Sequence, residues 1–377
     1  MRQATKAGAG VTRRSFLGGM SAAGAALAVS GPMRRAAAFA MPQGAQSAAQ
    51  INTQAPIVDK GFASVRKVSD AVYAVVSDTS KGFDTLCNGG FVVGKDAALL
   101  WEGYGSPKGS AFQLETLASV SKAPVKAAIN SHFHFDHTLG NSTYAVQRIP
   151  IWAHEKVVPE IEERYVPLQN RSKADFFAPA ETHLRDAVSE DDKKHAEGDI
   201  AALKLLAGML DSNVIALPNR PLLVSELPMK VDLGGIEVVI EAHPGHTPGD
   251  LILRIPAQNI VFAGDLIFNH SYPVTFDGDM ASWMKALELF GSYGPKTVFV
   301  PGHGQICGVE GVELQQSVFG DLAEHARQMA QLGVGLKEAQ ARYAVPERYK
   351  DLNMFAWGFC VDQAVKQFYE AAKAGKI

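Results

Sequence analysis

Short apolar runs along the chain predict buried strands, because each run is four to eight residues long and is bounded by turn residues. The first of these runs begins at Pro124 and ends at Asn130 and Ser131. Three later runs share the pattern and lie at 236–240, 259–263 and 296–300. The sequence therefore predicts at least four strands that end in polar or glycine-rich turns.

Helical spacing of apolar residues marks two other parts of the chain. Residues 155–225 are charged and mostly helical in pattern, with Ser189 as a predicted N-cap and apolar residues recurring from Ile200 to Leu210. Helical spacing returns at 312–332 and at 355–374, after the last predicted strand. We interpret these C-terminal helices as covering a sheet and as a candidate contact in a homodimer.

The N-terminal residues resemble a twin-arginine export signal. Arg13 and Arg14 precede a mildly apolar run from Gly18 to Gly31, and a small-x-small cleavage pattern follows at 38–40. The run is too short and too weakly apolar for a membrane span. We expect residues 1–40 to be a signal peptide that uses the twin-arginine translocation machinery. The protein would then be periplasmic or secreted, and residues 41–56 would be a flexible lead-in.

Charge and cysteine content narrow the class of protein further. The chain has 36 Lys and Arg against 39 Asp and Glu, and six of the basic residues lie in the first 40 positions. The remainder is net acidic, which gives no general attraction to nucleic acid or to an anionic membrane. The three cysteines, Cys87, Cys307 and Cys360, form no C-x-x-C motif and no clear disulfide framework.

Four potential metal ligands stand within six positions directly after the first predicted strand. They are His132, His134, Asp136 and His137. Imidazole and carboxylate groups both bind zinc-like cations well. In a helix the first two histidines would diverge, whereas a loop that leaves a strand can aim all four side chains inward.

The other predicted strands are each followed by a further donor. His246 lies in a Gly- and Pro-rich turn after 236–240, Asp265 follows 259–263, and His303 follows 296–300. Two metal ions at full coordination need more than four donors. Each of these positions alone is a weak signal, and together they predict a two-metal site.

On these residues the chain resembles the metallo-β-lactamase superfamily, over roughly Val72 to Gly304. The seven donors match the superfamily's ligand pattern in order, and residues 87–93 and 99–103 resemble its opening hairpin. Glu102 stands where that hairpin usually has an Asp. The resemblance implies an α/β fold, a four-layered αβ/βα sandwich over residues 57–310. It would carry a helical insert at about 155–225 and a C-terminal helical extension at 311–377.

The resemblance also implies roles for the seven donors. His132, His134 and His246 would bind a first metal ion, Asp136, His137 and His303 a second, and Asp265 would bridge both. The ions would be divalent, with zinc expected first and iron or manganese as alternatives. A bridging hydroxide, which Asp136 would help to orient, would attack an ester, thioester, lactone, amide, sulfate or phosphate centre of a small molecule.

Three alternative functions stay open at this stage. A β-lactamase would suit the expected location, but two groups of such enzymes have Cys or Ser where Asp265 stands, and Asp265 resembles the glyoxalase II and lactonase branches. A mononuclear iron oxygenase similar to persulfide dioxygenases would use fewer ligands. A metal-binding accessory protein would have no turnover. For the insert at 155–225 we weigh a lid over the metals against a helical hairpin without a role in the site or an oligomer contact.

Overall fold

The computed structural model describes residues 46–167 and 173–377. The expected signal peptide at 1–40 lies outside these described residues. Within them, no helix combines the length and the apolar character that crossing a membrane would need. The three cysteines are buried and unpaired.

Thirteen strands form two sheets among the described residues. The first sheet has eight strands in chain order, antiparallel up to the fifth and parallel from there on. Its strands are β1 (Val58–Asp59), β2 (Ala63–Lys67), β3 (Val72–Ser77), β4 (Gly89–Val93), β5 (Ala98–Trp101), β6 (Val125–Ile129), β7 (Ile151–His154) and β8 (Arg220–Leu222).

The second sheet has five strands in the order β13-β12-β11-β10-β9, and only its β12–β13 pair is parallel. Its strands are β9 (Met229–Asp232), β10 (Glu237–Ala242), β11 (Leu251–Ile255), β12 (Ile260–Asn269) and β13 (Val298–Gly304). The four strands predicted from apolar runs correspond to β6, β10, β12 and β13.

Eleven helices accompany the sheets in the described part of the chain. They are α1 (Ala48–Thr53), α2 (Pro107–Val120), α3 (Phe135–Thr138), α4 (Asn141–Val146), α5 (Val157–Arg164), α6 (Lys173–Asp186), α7 (Glu190–Ser212), α8 (Met280–Gly291), α9 (Val309–Gln331), α10 (Leu336–Ala341) and α11 (Gln363–Lys373).

Alternating side chains of the strands build a four-layered sandwich. In β12, Ile260 and Phe262 join the apolar cluster between the two sheets, whereas Val261 and Ala263 point to the helices outside. Both faces of the strand are therefore buried, which explains its continuous apolar run. Helices α2 and α4 cover the first sheet, and α8, α9 and α11 cover the second. The predicted α/β sandwich with a helical insert and C-terminal helices is confirmed.

The insert helices pack beneath the loop that carries the histidine motif. Val157 and Ile161 of α5 and Leu210 of α7 share one apolar cluster with Phe133 and Leu139. Helix α7 begins after the predicted N-cap, whose hydroxyl accepts a hydrogen bond from the Asp192 amide. The apolar face of the insert is thus used to support the motif loop.

The segment expected to be a flexible lead-in contains α1. Ile51 of this helix is 1% exposed and belongs to the cluster between the sheets. The Asn52 side chain also donates a hydrogen bond to the Ile306 carbonyl at 2.7 Å. Residues 48–53 are therefore ordered against the domain, because a buried isoleucine and a long-range hydrogen bond outweigh the weak local signal of a Gln- and Ala-rich stretch.

Candidate metal centre

The structure brings the seven predicted ligands together as two groups that share Asp265. One group is His132, His134, His246 and Asp265, and the other is Asp136, His137, His303 and Asp265. The ligand atoms within each group lie within 4.8 Å of one another. They come from the loop after β6, from α3, from the β10–β11 turn, from β12 and from β13.

The first group is almost fully buried. His134 Nδ1 lies 3.0 Å from His132 Nε2 and 2.9 Å from His246 Nε2. His246 Nε2 is in turn 3.4 Å from Asp265 Oδ2. Three imidazole nitrogens and a carboxylate oxygen thus converge, which is a donor set that zinc prefers.

The second group contacts both oxygens of the same carboxylate, since His303 Nε2 lies 3.2 Å from Asp265 Oδ2. His137 Nε2 lies 3.1 Å from Asp265 Oδ1, and His303 Nε2 is 3.3 Å from Asp136 Oδ2. His137 Nε2 and Asp265 Oδ1 are both buried without a hydrogen-bond partner. Leaving buried polar atoms unpaired is costly, so these two atoms fit a cation between them.

Each of four histidines has a partner on the ring nitrogen that faces away from its group. The contacts are His132 Nδ1 to Ser131 Oγ at 2.8 Å, His134 Nε2 to Asp277 Oδ2 at 2.9 Å, His246 Nδ1 to the Val274 carbonyl at 3.0 Å and His137 Nδ1 to Glu102 Oε1 at 3.3 Å. Such contacts fix the tautomer and the ring orientation of metal-binding histidines. The donor set and its surroundings therefore fit two divalent ions.

Two of these partners deserve separate description because sequence reasoning did not assign them. Asp277 follows β12, and its Oδ1 accepts a hydrogen bond from Arg164 Nη1 of α5 at 2.5 Å. Burial opposes ionisation, but His134 and Arg164 hold the pKa of Asp277 below its usual range. Glu102 is fully buried, and its Oε2 accepts the Ser131 amide at 3.2 Å. Glu102, which stands where an Asp was expected, thus contacts both the motif loop, through Ser131, and the His137 ring.

The electrostatics favour ligand-ready protonation states for most of the site. Burial lowers the pKa of His246 to about 3, although Asp265 opposes the shift. Burial works against ionisation of Asp136 and Asp265, but His137 and His303 outweigh it and hold the pKa of each carboxyl well below its usual range. His137 and His303 differ, since neighbouring acidic groups outweigh burial in both. The pKa of His137 is raised well above its usual range, and that of His303 is raised to about 10.

Local backbone features explain why the distant donors are rigid. The Asp250 carboxylate accepts hydrogen bonds from the Gly245 and Thr247 amides, at 3.0 and 2.8 Å, and so closes the turn that carries His246. At Gly302 a Cβ atom would come within 1.8 Å of Asp265 Oδ1. The glycine beside His303 is therefore required for the Asp265 carboxylate to occupy its position.

A cavity of about 320 Å³ opens over both groups. Its wall includes residues after β3, residues after β12 and the C-terminal segment 353–355. No side chain of the insert that the structure describes lines it. Of the alternatives weighed for the insert, the lid therefore gains no support from its described part. The C-terminal wall was missed because its sequence carries no donor motif.

Comparisons with known proteins agree with this fold. The sequence matches the metallo-beta-lactamase superfamily over residues 82–303. Uncharacterised proteins of Mycobacterium tuberculosis and Mycobacterium bovis are 27% identical to it in an alignment of 226 positions. The alignment covers 56% of this chain and 81% of theirs.

Solved structures with low sequence identity share the architecture. A metallo-beta-lactamase from Pontibacter korlensis has a TM-score of 0.50 at 18% identity and covers 68% of this chain and 99% of its own. A stereoselective inverting sec-alkylsulfatase from Pseudomonas has a TM-score of 0.55 at 16% identity. The match covers 81% of this chain but only 49% of that enzyme. The family match extends over more than half of the chain, and the chain therefore belongs to the metallo-β-lactamase superfamily.

Proposed function

We propose that this protein is a dinuclear metal-dependent hydrolase of a small molecule. The observation that carries the proposal is the pair of four-residue groups that share the Asp265 carboxylate, at the floor of a cavity. Histidine and carboxylate donors in this number favour zinc, with iron and manganese as alternatives. Two divalent ions would lower the pKa of a bound water to about 7 and polarise the bond to be cleaved.

The chain's own residues supply orientation and proton handling. Asp136 lines the cavity, and the low pKa of its carboxyl keeps it ionised, so it can accept a hydrogen bond from an attacking water. His303 lines the same cavity and stacks on Phe268, with ring centroids 5.1 Å apart. The stacking limits rotation of the His303 ring, so this ring is held in place before substrate enters.

The set of metal donors also helps to distinguish the hydrolase from the alternative functions. A mononuclear iron oxygenase would leave the Asp136, His137 and His303 group without a purpose, although its atoms converge as closely as those of the first group. Asp265 argues against a β-lactamase, because two groups of those enzymes have Cys or Ser at the corresponding position. An accessory role without turnover is separated from the hydrolase only by an assay.

A metal count combined with an activity panel tests the proposal. Purified protein should contain two divalent ions per chain. It should hydrolyse at least one member of a panel of esters, lactones, thioesters, β-lactams, sulfates and phosphates, and chelation should stop the reaction. Asp136→Ala and His246→Ala should each abolish the metal-dependent rate. A single iron per chain, or no metal-dependent turnover on any class, would refute the proposal.

We also propose that the protein is exported by the twin-arginine pathway, on the strength of Arg13, Arg14 and the apolar run that follows. Cell fractionation of the tagged full chain should place the wild type in the periplasm or the medium. Replacing both arginines by lysine should leave the protein in the cytoplasm. An unchanged distribution of the double variant would contradict the proposal.

A further inference from the structure

The cavity above the candidate metal groups has a strongly apolar wall. Phe83, Phe135, Phe276 and Phe355 line it together with aliphatic residues. Thr79, Ser271 and Asn353 contribute polar groups, and these are uncharged. Among the described residues that line the cavity there is no lysine or arginine.

The guanidinium of Arg164, on α5, is already paired with carboxylates. It bonds to Asp277 at 2.5 Å and to Glu160 at 2.7 Å, and it also lies 4.9 Å from the centre of the Phe133 ring. Arg164 does not line the cavity. A negatively charged substrate group that lies against the phenylalanine wall, away from the ligand groups, would therefore have no lysine or arginine beside it.

The candidate ions would lie at the floor of the cavity. There the ionised Asp136 and Asp265 would counter half of the positive charge that two divalent ions would bring. A charged group elsewhere on the substrate would face the apolar wall instead of the ions. Burying an unpaired anion in an apolar wall is strongly unfavourable, whereas each buried methylene of a neutral substrate strengthens binding about four-fold.

We propose that the substrate is an uncharged carboxylic ester or lactone with an apolar acyl or alkyl group, an inference that rests on the proposed hydrolase function. The volume lies at the small end of the range of ligand cavities, about 300–1,000 Å³, which favours a compact molecule. Water would form a bond to the acyl carbon while the acyl C–O bond breaks. One proton of the water goes to the departing alcohol oxygen, and the other is lost when the acid ionises. The carboxylate product then has no partner in the wall, which favours its release.

The C-terminal segment supplies the part of the wall that sets this preference. Its backbone is paired with the loop after β12, since the Tyr272 amide donates to the Asn353 carbonyl at 2.7 Å and the Asn353 amide to the His270 carbonyl at 2.9 Å. Phe355 follows this pairing and is 48% exposed at the cavity. A charge placed at position 355 would therefore face an entering substrate without disturbing the core.

A matched pair of esters tests the charge preference. p-Nitrophenyl butyrate and mono-p-nitrophenyl succinate have acyl chains of equal length and differ in a terminal carboxylate. For the zinc-loaded wild type, kcat/KM should favour the butyrate about 100-fold, as the penalty for an unpaired buried group implies. Phe355→Arg should reduce this ratio at least about ten-fold. Leu332→Arg, which changes an exposed leucine outside the cavity, should leave it unchanged.

A binding measurement adds a readout that does not depend on turnover. Calorimetry with the zinc-loaded protein should show binding of the neutral ketone 2-heptanone in preference to hexanoate. A preference for the succinate ester or for hexanoate would overturn the inference. Turnover of only an anionic class, such as sulfates or glutathione thioesters, would also overturn it but leave the hydrolase proposal standing. If no class is turned over, the hydrolase proposal fails, and the ketone comparison still decides the charge preference of the cavity.

Discussion

Replacing Asp277 should weaken one of the two metal sites without affecting the other. Its Oδ2 lies 2.9 Å from His134 Nε2, and Nδ1 of that histidine faces the first ligand group. Removing such a partner of a metal-binding histidine typically lowers metal affinity about 10–100-fold. At about 1.36 kcal/mol for each factor of ten, Asp277→Ala should cost about 1.4–2.7 kcal/mol of binding free energy.

The solvent exposure of the two partners of Asp277 indicates which contact supports metal affinity. The side chains of His134 and Asp277 are 6% and 9% exposed, whereas Arg164 is 41% exposed. An ion pair with a half-exposed guanidinium contributes at most about 1 kcal/mol, because solvent screens it. Arg164→Gln should therefore cost less than Asp277→Ala. Asp277→Asn, which keeps an acceptor but loses the charge, should fall between them.

Competition for zinc with a chromophoric chelator would measure both dissociation constants. Glu160→Gln is the matched control, because Glu160 is the other partner of Arg164, at 2.7 Å, and makes no contact with a candidate ligand. Wild-type affinity at both sites in Asp277→Ala would refute the reasoning. An equal loss at both sites, with a lower melting temperature of the metal-free protein, would instead show a general folding effect and would also count against it.

Three further predictions concern the bridging carboxylate, the insert and protonation. Gly302→Ala should abolish binding of both ions, as metal analysis would show, since its Cβ would meet Asp265 Oδ1 at 1.8 Å. The control Gly320→Ala has nothing within 4 Å of its added Cβ. It should raise the free energy of unfolding by about 0.5–1 kcal/mol, which thermal denaturation would measure. Asp199→Ala removes the half-buried hydrogen bond that α7 accepts from the Gly358 amide, which follows the wall residues 353–355. It should therefore cost about 0.5–1.5 kcal/mol of stability and raise KM more than it lowers kcat; an unchanged KM would argue against the coupling. The pKa of His303 is raised from 6.5 to about 10, so its protonated form stabilises the metal-free protein fully below pH 6.5 and this stability is lost as the pH rises through 10. The pKa of His137 is also raised well above its usual range, so zinc must displace a proton from each of these two histidines. Calorimetry in two buffers at pH 7 should therefore detect release of about two protons, and zero release would contradict the assignment.

The ligand positions were predictable because their signal is local. His132, His134, Asp136 and His137 lie within six positions of one another. Each of the other donors comes directly after an apolar run: His246 in the turn after β10, and Asp265 and His303 within β12 and β13. The continuous apolar run of β12 likewise predicted a buried strand. In the structure one face of this strand packs towards the first sheet and the other towards the helices. Where the chemistry and the secondary structure lie in the same few residues, pattern reasoning is sufficient.

The surroundings of the ligands were not predictable in this way. Arg164 and Asp277 are 113 residues apart in the chain, and neither stands in a motif. The apolar face of α7 showed that this helix is buried, but periodicity does not show against what. The same holds for Phe355, whose place in the cavity depends on the pairing of its segment with the loop after β12. Contacts of this kind arise from tertiary packing, which single-sequence patterns do not contain.

The described part of the insert acts as a brace between the metal site and the cavity wall. Helix α5 reaches His134 through Arg164 and Asp277. Helix α7 reaches the C-terminal segment through Asp199, which accepts the Gly358 amide at 3.0 Å. A lid would change substrate access and leave metal affinity unaltered. The same insert is tied to the candidate ligand His134 through Asp277 at one end, and at the other to Gly358, three residues after the wall residue Phe355. Substitutions within it should therefore alter metal affinity and substrate range together.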